Sequence, residues 1–212
     1  MTVGLAEATD RVAAVDPALA DVIRRAGPIH HRKRDPDGPF GALVRAITFQ
    51  QLSGRSAIAI HGRLRASVDG PLTPEALLAL SDAQMRAAGL SGAKTAALRD
   101  LATKVLDGTV VLKAGARMPD DEIMGRLVTV RGIGPWTAEM FLIFELRRLD
   151  VWPVDDLGVR QGFTQIWQRD EVPTPKQLEP EGERFRPYRT VLARYCWAAT
   201  ALEPGDTSVD LR

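Results

Sequence analysis

Apolar and polar positions follow a helical period over most of the chain. From Thr95 onward, Leu98, Leu101, Ala102, Val105 and Leu106 recur at three- and four-residue intervals, while Arg99, Asp100 and Lys104 fall on the opposite side. That spacing predicts an amphipathic helix. Phe40 to Val68 keeps the same rhythm and breaks at Ser53-Gly54, which predicts two helices or one long helix with a bend. Thr73-Pro74-Glu75 combines a capping hydroxyl, a proline at a position whose N–H is not needed, and an acid suited to the helix dipole. Ser81 to Gln84 reads as a capping box, and Gly89 as the stop that follows it. Period-two alternation of β-branched residues is confined to Thr109-Val110-Val111-Leu112. The expected fold is all-α, with loops at Pro28 to Pro39 and Asp170 to Glu183.

Of 212 residues, 45% are hydrophobic and 26% charged, enough for one domain or two small lobes. Lys and Arg number 28 against 27 acids, so a nucleic-acid partner would have to be held by local patches rather than by overall charge. Two such patches exist. Residues 41–68 hold Arg45, Arg55, Arg63 and Arg65 without an acid, and residues 184–194 hold Arg184, Arg186, Arg189 and Arg194, again without one. A lone cysteine, Cys196, excludes an internal disulfide, a Cys-ligated iron–sulfur cluster and multi-cysteine zinc sites, and fits a reducing, cytoplasmic setting. His30-His31 has only His61 elsewhere to help it and makes a poor metal set. Met1 to Asp10 has no basic leader, and no apolar run reaches the ~18 residues of a membrane span. No membrane partner is expected.

The segment Asp121 to Arg148 carries the most chemistry. A helix through Ile123, Leu127, Val128 and Val130 should stop at Arg131-Gly132-Ile133-Gly134, and Pro135 should open a second helix running from Trp136 to Arg148. Gly132 and Gly134 let the backbone turn tightly and bring bare N–H groups up to a phosphate, while Ile133 pins the hairpin into the core. A bare Gly-Ile-Gly is most often only a turn between helices. Further on, Pro153-Val154-Asp155-Asp156-Leu157 precedes another apolar helix, with Asp155 expected as its N-cap and Asp156 in the first turn. A carboxylate at that point stabilises positive charge and is a poor proton donor.

The string Leu127-Val-Thr-Val-Arg-Gly-Ile-Gly-Pro-Trp-Thr-Ala138 resembles the helix-hairpin-helix motif of DNA repair glycosylases. Pro153 to Arg160 resembles the turn with the catalytic Asp that follows it in that superfamily. Leu43 to Ser53, Gly89 to Thr95 and Phe185 to Trp197 extend the likeness to most of the chain, closest to the DNA-3-methyladenine glycosylase II family. That resemblance implies a two-lobed helical fold, residues 40–134 forming one lobe and 1–39 with 135–212 the other, with the active site in a cleft between them. It implies a monofunctional enzyme that flips alkylated purines of the 3-methyladenine and 7-methylguanine type out of duplex DNA and hydrolyses the N-glycosidic bond, leaving an abasic site. Strand-cleaving members carry a Lys where this chain has Trp136.

The same resemblance makes Asp156 the catalytic carboxylate and puts Trp136 and Trp197 around the flipped base, with Met140 and Leu157 beside them. Tryptophan faces suit a cationic base. Gln50 and Gln51, read as lying mid-helix, are implied at the duplex gap, and Leu90-Ser91-Gly92 as a second minor-groove probe. Gly132, Ile133, Gly134, Thr137 and Arg45 complete the implied DNA contacts. Carbonyls of Val128, Val130 and Ile133 are implied to hold a K⁺ or Na⁺, and no cofactor for the chemistry itself. A monomer is the simplest expectation. Two other readings stay open: a glycosylase of the same fold acting on a neutral lesion such as hypoxanthine or ethenoadenine, and a non-catalytic DNA-binding module.

Overall fold

A computed structural model describes residues 3–112 and 118–202. Among them the chain is helical and contains no strand. The Thr109–Leu112 alternation is a turn: after Gly108 (φ +80°) the Val110 N–H returns to Lys104 O at 2.8 Å and its side chain is buried. The described residues form two compact units. One is Lys33–Phe141, and the other joins the residues up to Arg32 with those from Leu142. The boundaries thus lie at 32/33 and 141/142, against the 39/40 and 134/135 expected above. No helix among the described residues is long and apolar enough to cross a membrane.

The flanking unit begins with α1 (Leu5–Ala13) and α2 (Pro17–Ala26). The central unit holds α3 (Gly38–Phe49), α4 (Gly54–Ala66), α5 (Pro74–Ala79), α6 (Asp82–Ala88), α7 (Gly92–Leu106), α8 (Asp120–Leu127) and α9 (Pro135–Met140). Local chemistry sets its boundaries as expected. Thr73 accepts the Ala76 N–H at 3.2 Å, Ser81 and Gln84 form a reciprocal capping box, and Gly89 ends α6 at φ +95°. α7 starts before its periodic stretch because Ser91 caps it, accepting the Lys94 N–H. Its buried face, Ala97, Leu98, Leu101 and Ala102, packs against α3, α5 and α6, which makes it the spine of the unit.

The flanking unit is completed by α10 (Leu157–Ile166), α11 (Pro175–Leu178) and α12 (Arg189–Ala201). α12 lies against α1, α2 and α10, and its buried residues include Val191, Leu192, Tyr195 and Cys196. The apolar core there joins Leu19, Val22, Phe163, Leu178, Phe185 and Trp152, whose indole N–H donates to Leu178 O at 3.2 Å. Trp167 is a packing residue: its ring meets Phe163 at 4.3 Å between centroids, and its N–H donates to Asp16 at 3.0 Å.

Three arginines of the 184–194 run serve this fold. Arg189, 8% exposed, grips Asp150 through Nε and Nη2 at 2.8 and 3.1 Å. Arg186 pairs with Asp150 and Glu183, and Arg184 with Asp16. That part of the run is internal ion pairing, not a free basic face. Asp16 also caps α2 through the N–H groups of Ala18 and Leu19. Burial alone would raise its pKa. The Trp167, Leu19 and Ala18 donors and the Arg184 charge outweigh that and hold it below the ordinary carboxylate range. A carboxyl depressed by folding stabilises above its unfolded pKa of about 3.9 and loses that contribution as pH falls through the folded value. The stability gap between the native chain and Asp16→Asn, read by urea unfolding, is therefore expected to be full at neutral pH and to close as pH drops below about 4.

Candidate functional site

The hairpin between α8 and α9 is built from inside the central unit. Residues 128–131 turn out of α8, Gly132 takes φ +81°, Ile133 is buried at 4% exposure, and Gly134 caps α9 with Pro135 at its first position. Only glycine adopts that φ without strain, and a Cβ at 132 would also stand 3.4 Å from Ala97 Cβ. α7 braces the turn. Asp100 Oδ2 accepts the Arg131 N–H at 2.7 Å, and Lys104 donates to the same carboxylate at 2.9 Å and to Thr129 O. Burial would raise the Asp100 pKa, but these donors and charges bring it below the ordinary range.

Gln50 and Gln51 do not lie mid-helix. α3 ends at Phe49, Gln50 is extended, and Gln51 takes φ +55° before Ser53 caps α4. Lys94 of α7 holds this link, donating to Thr48 O at 2.5 Å and Gln50 O at 2.9 Å, and burial pushes its pKa down. Gln50 Nε2 in turn donates to Gly132 O at 2.9 Å. One amide thus ties the α3–α4 link to the hairpin, and Gln51 stands exposed.

The other expected contacts of this unit fall as follows. Trp136 is 49% exposed at the start of α9, Met140 is half-buried, and Thr137 is buried. Thr137 can therefore offer a ligand its main chain more readily than its hydroxyl. Gly132 and Gly134 are exposed. Arg45 is exposed, its guanidinium 4.1 Å above the Phe49 ring. Ser91 is exposed while capping α7, but Leu90 is buried in the core and cannot probe a groove. Val128, Val130 and Ile133 present main-chain carbonyls, the hard oxygen donors a monovalent cation takes. Val130 O also accepts the Ile133 N–H at 3.0 Å. The expected helix to Arg148 is shorter: after Met140 the chain makes a π turn, Phe141–Glu145, and Arg147 takes φ +57°.

In the flanking unit the carboxylate and one tryptophan meet. Asp156, not Asp155, is the N-cap of α10. Its Oδ1 accepts the Val159 N–H at 2.8 Å and the Trp197 Nε1–H at 2.9 Å, while Asp155 is exposed in the preceding turn. Trp197 stacks on Phe144 with centroids 5.8 Å apart and planes 24° from parallel, and the Arg32 guanidinium lies 4.1 Å from the Phe144 ring centre. Leu157 is 54% exposed beside Asp156. Gly158 makes the close contact possible, because a Cβ there would stand 3.0 Å from Trp197 Cδ1 and 3.1 Å from Asp156 Oδ1. Phe144, Arg32 and Gly158 escaped the sequence reading. Phe144 sits in the π turn, where helical periodicity fails, and Arg32 lies in a loop with no local pattern. A fixed carboxylate beside a stacked aromatic pair can stabilise a developing cation.

The chain compares with known proteins as follows. Residues 44–187 match the HhH-GPD superfamily base excision DNA repair protein family. DNA-3-methyladenine glycosylase 1 of Schizosaccharomyces pombe is 35% identical over 175 residues, 81% of this chain and 77% of that protein. The solved S. pombe 3-methyladenine DNA glycosylase in complex with abasic DNA superposes with a TM-score of 0.80 at 31% identity, covering 96% of this chain and all of that one. The DNA-3-methyladenine glycosidase structure from Bacillus halodurans reaches a TM-score of 0.83 at 35% identity over 91% of this chain and 88% of that one. With a braced Gly-Ile-Gly hairpin and a capped, indole-bonded aspartate in the order expected, the chain belongs to the HhH-GPD superfamily of base excision DNA repair proteins.

Proposed function

We propose that this chain is a monofunctional DNA glycosylase that removes alkylated purines from duplex DNA by hydrolysing the N-glycosidic bond, with Asp156 as its catalytic carboxylate. The observation that carries the reading is the double hold on Asp156 Oδ1 by Val159 N–H and Trp197 Nε1–H. A carboxylate with its rotation fixed is preorganised to stabilise the oxocarbenium-like sugar, and a purine alkylated at N3 or N7 is already cationic, so it leaves without a strong acid. Trp197 has a second task in this reading: its face, backed by Phe144, receives the extruded base. Trp136, in the central unit, is 49% exposed. Lacking an amine, it gives no route to a covalent imine.

The exposed glycines of the hairpin would receive a backbone phosphate through main-chain N–H groups. Carbonyls of Val128, Val130 and Ile133 would hold a K⁺ or Na⁺ there, whose charge would favour the same phosphate. The test is release of free 3-methyladenine and 7-methylguanine from methylated duplex DNA by the purified protein, run beside duplexes carrying hypoxanthine or ethenoadenine. Release of the alkylpurines above all is the expected result. Faster release of the neutral bases would transfer the activity to them, and binding without any release would leave only a DNA-binding module.

Trp197→Phe separates the two tasks of the indole. It keeps a ring against Phe144 but removes the N–H to Asp156. Alkylpurine release is expected to fall about ten-fold, the value of one hydrogen bond to a charged group (~1.5 kcal/mol), with melting temperature little changed. Single-turnover release curves for the two proteins measure it, and equal rates would assign the orientation of Asp156 to the cap alone.

A further inference from the structure

Three of the four arginines in the 184–194 run have acidic partners, and Arg194 has none among the described residues. Its Nη2 donates to His30 O at 2.7 Å, and among the described residues no carboxylate faces it. Burial and the neighbouring Arg32 charge both push its pKa down, which means the cation is held at a cost. Arg147 converges on the same segment, its Nη2 3.5 Å from Arg32 O, with a left-handed backbone (φ +57°) and an Nε that is buried without a hydrogen-bond partner. Two guanidiniums are thus drawn to the carbonyls of His30 and Arg32, which supply only partial negative charge, while the Arg32 guanidinium lies against Phe144. Partly buried like charges such as Arg147 and Arg194, held by carbonyls alone among the described residues, destabilise a fold unless an anion completes them. The contacts run on from Arg32 to Phe144, from Phe144 to Trp197 and from Trp197 to Asp156, so the cluster borders the candidate active site.

We propose that Arg147 and Arg194, with Arg32 beside them, form a phosphodiester-binding site in the unit that carries Asp156, separate from the glycine hairpin, and that it takes a backbone phosphate close to the nucleotide being excised. Guanidinium forks match the paired oxygens of a phosphate, and both side chains are only partly buried, so a strand can reach them. The inference rests on DNA being the substrate, as proposed above, but not on which base is removed.

The test is the salt dependence of binding to a fluorescein-labelled duplex carrying a tetrahydrofuran abasic analogue, measured across a KCl series. Each phosphate neutralised steepens the plot of log K against log salt by about 0.9. The double variant Arg147→Met with Arg194→Met keeps the apolar stems and removes the charges. It is expected to flatten the slope by about one, while Arg24→Met, which breaks an exposed pair with Asp21, leaves it unchanged. Lysine at both positions is expected to restore the slope. If the double variant does not fold, Arg147→Met alone carries the test, with a smaller flattening expected. A slope equal to that of the native chain in the folded variant would overturn the proposal. The base-release assay keeps the two failures apart: an altered slope without release would retain the phosphate site and remove the glycosylase reading, and an unaltered slope with release intact would do the reverse.

Discussion

Asp156→Asn is expected to lower alkylpurine release by about a hundred- to a thousand-fold, the ~3–4 kcal/mol lost when a preorganised electrostatic group is removed from a reacting centre. The substitution is informative because the catalytic role proposed for Asp156 is joined to a structural one. As N-cap of α10 it accepts the Val159 N–H at 2.8 Å, and asparagine caps a helix about as well as aspartate. The Trp197 N–H can still be accepted by the amide oxygen. Charge is therefore the property that changes, while the fold is kept. Asp156→Ala would remove the cap as well, costing about 1 kcal/mol of stability, and so mixes the two effects. The measurement is single-turnover release from methylated duplex DNA together with the melting temperature of each protein. A full-speed Asp156→Asn protein would move the catalytic role elsewhere.

Gly162→Ala is expected to be the most damaging single methyl in the flanking unit. A Cβ at 162 would fall 1.8 Å from Cys196 O, 2.4 Å from its carbonyl carbon and 2.7 Å from its Cα. These are backbone atoms of α12, so no rotamer change relieves the clash and α10 must be pushed off α12. Overpacking of this kind costs about 3 kcal/mol or more, a fall of roughly 10 °C in melting temperature for a chain of this size. Gly125→Ala is the matched control. It lies within α8, is exposed, and a Cβ there meets nothing within 4 Å, so the variant gains helix propensity and stabilises by up to about 1 kcal/mol. Thermal unfolding of the two variants should move in opposite directions.

Signals confined to a few neighbouring residues are legible in the sequence. The caps at Thr73 and Ser81 and the stop at Gly89 each depend on atoms within four or five positions, and each stands where the local chemistry puts it. The end of α3 is not legible locally because what holds it is remote: Lys94, more than forty residues on, takes the carbonyls of Thr48 and Gln50. The choice between Asp155 and Asp156 as cap turned on one extra turn residue, since the Asp156 N–H closes onto Pro153 O at 3.0 Å. Charge runs were the least readable feature. Arg184 finds Asp16 and Arg189 finds Asp150 across long stretches of sequence, and no window centred on the arginines contains either acid.

The flanking unit is assembled from both ends of the described chain, because α1 and α2 pack on α12 while the whole of the central unit lies between them in sequence. During synthesis the central unit can close as soon as its last helix has left the ribosome. The apolar faces of α1 and α2, which hold Ala8, Val12, Leu19 and Val22, must wait for Arg189–Ala201. At roughly 5–20 residues per second that wait lasts on the order of ten to thirty seconds. Nascent-chain chaperones should therefore meet this protein through α1 and α2, and a ribosome stalled just short of α12 should carry a folded central unit while the apolar faces of those two helices stay open.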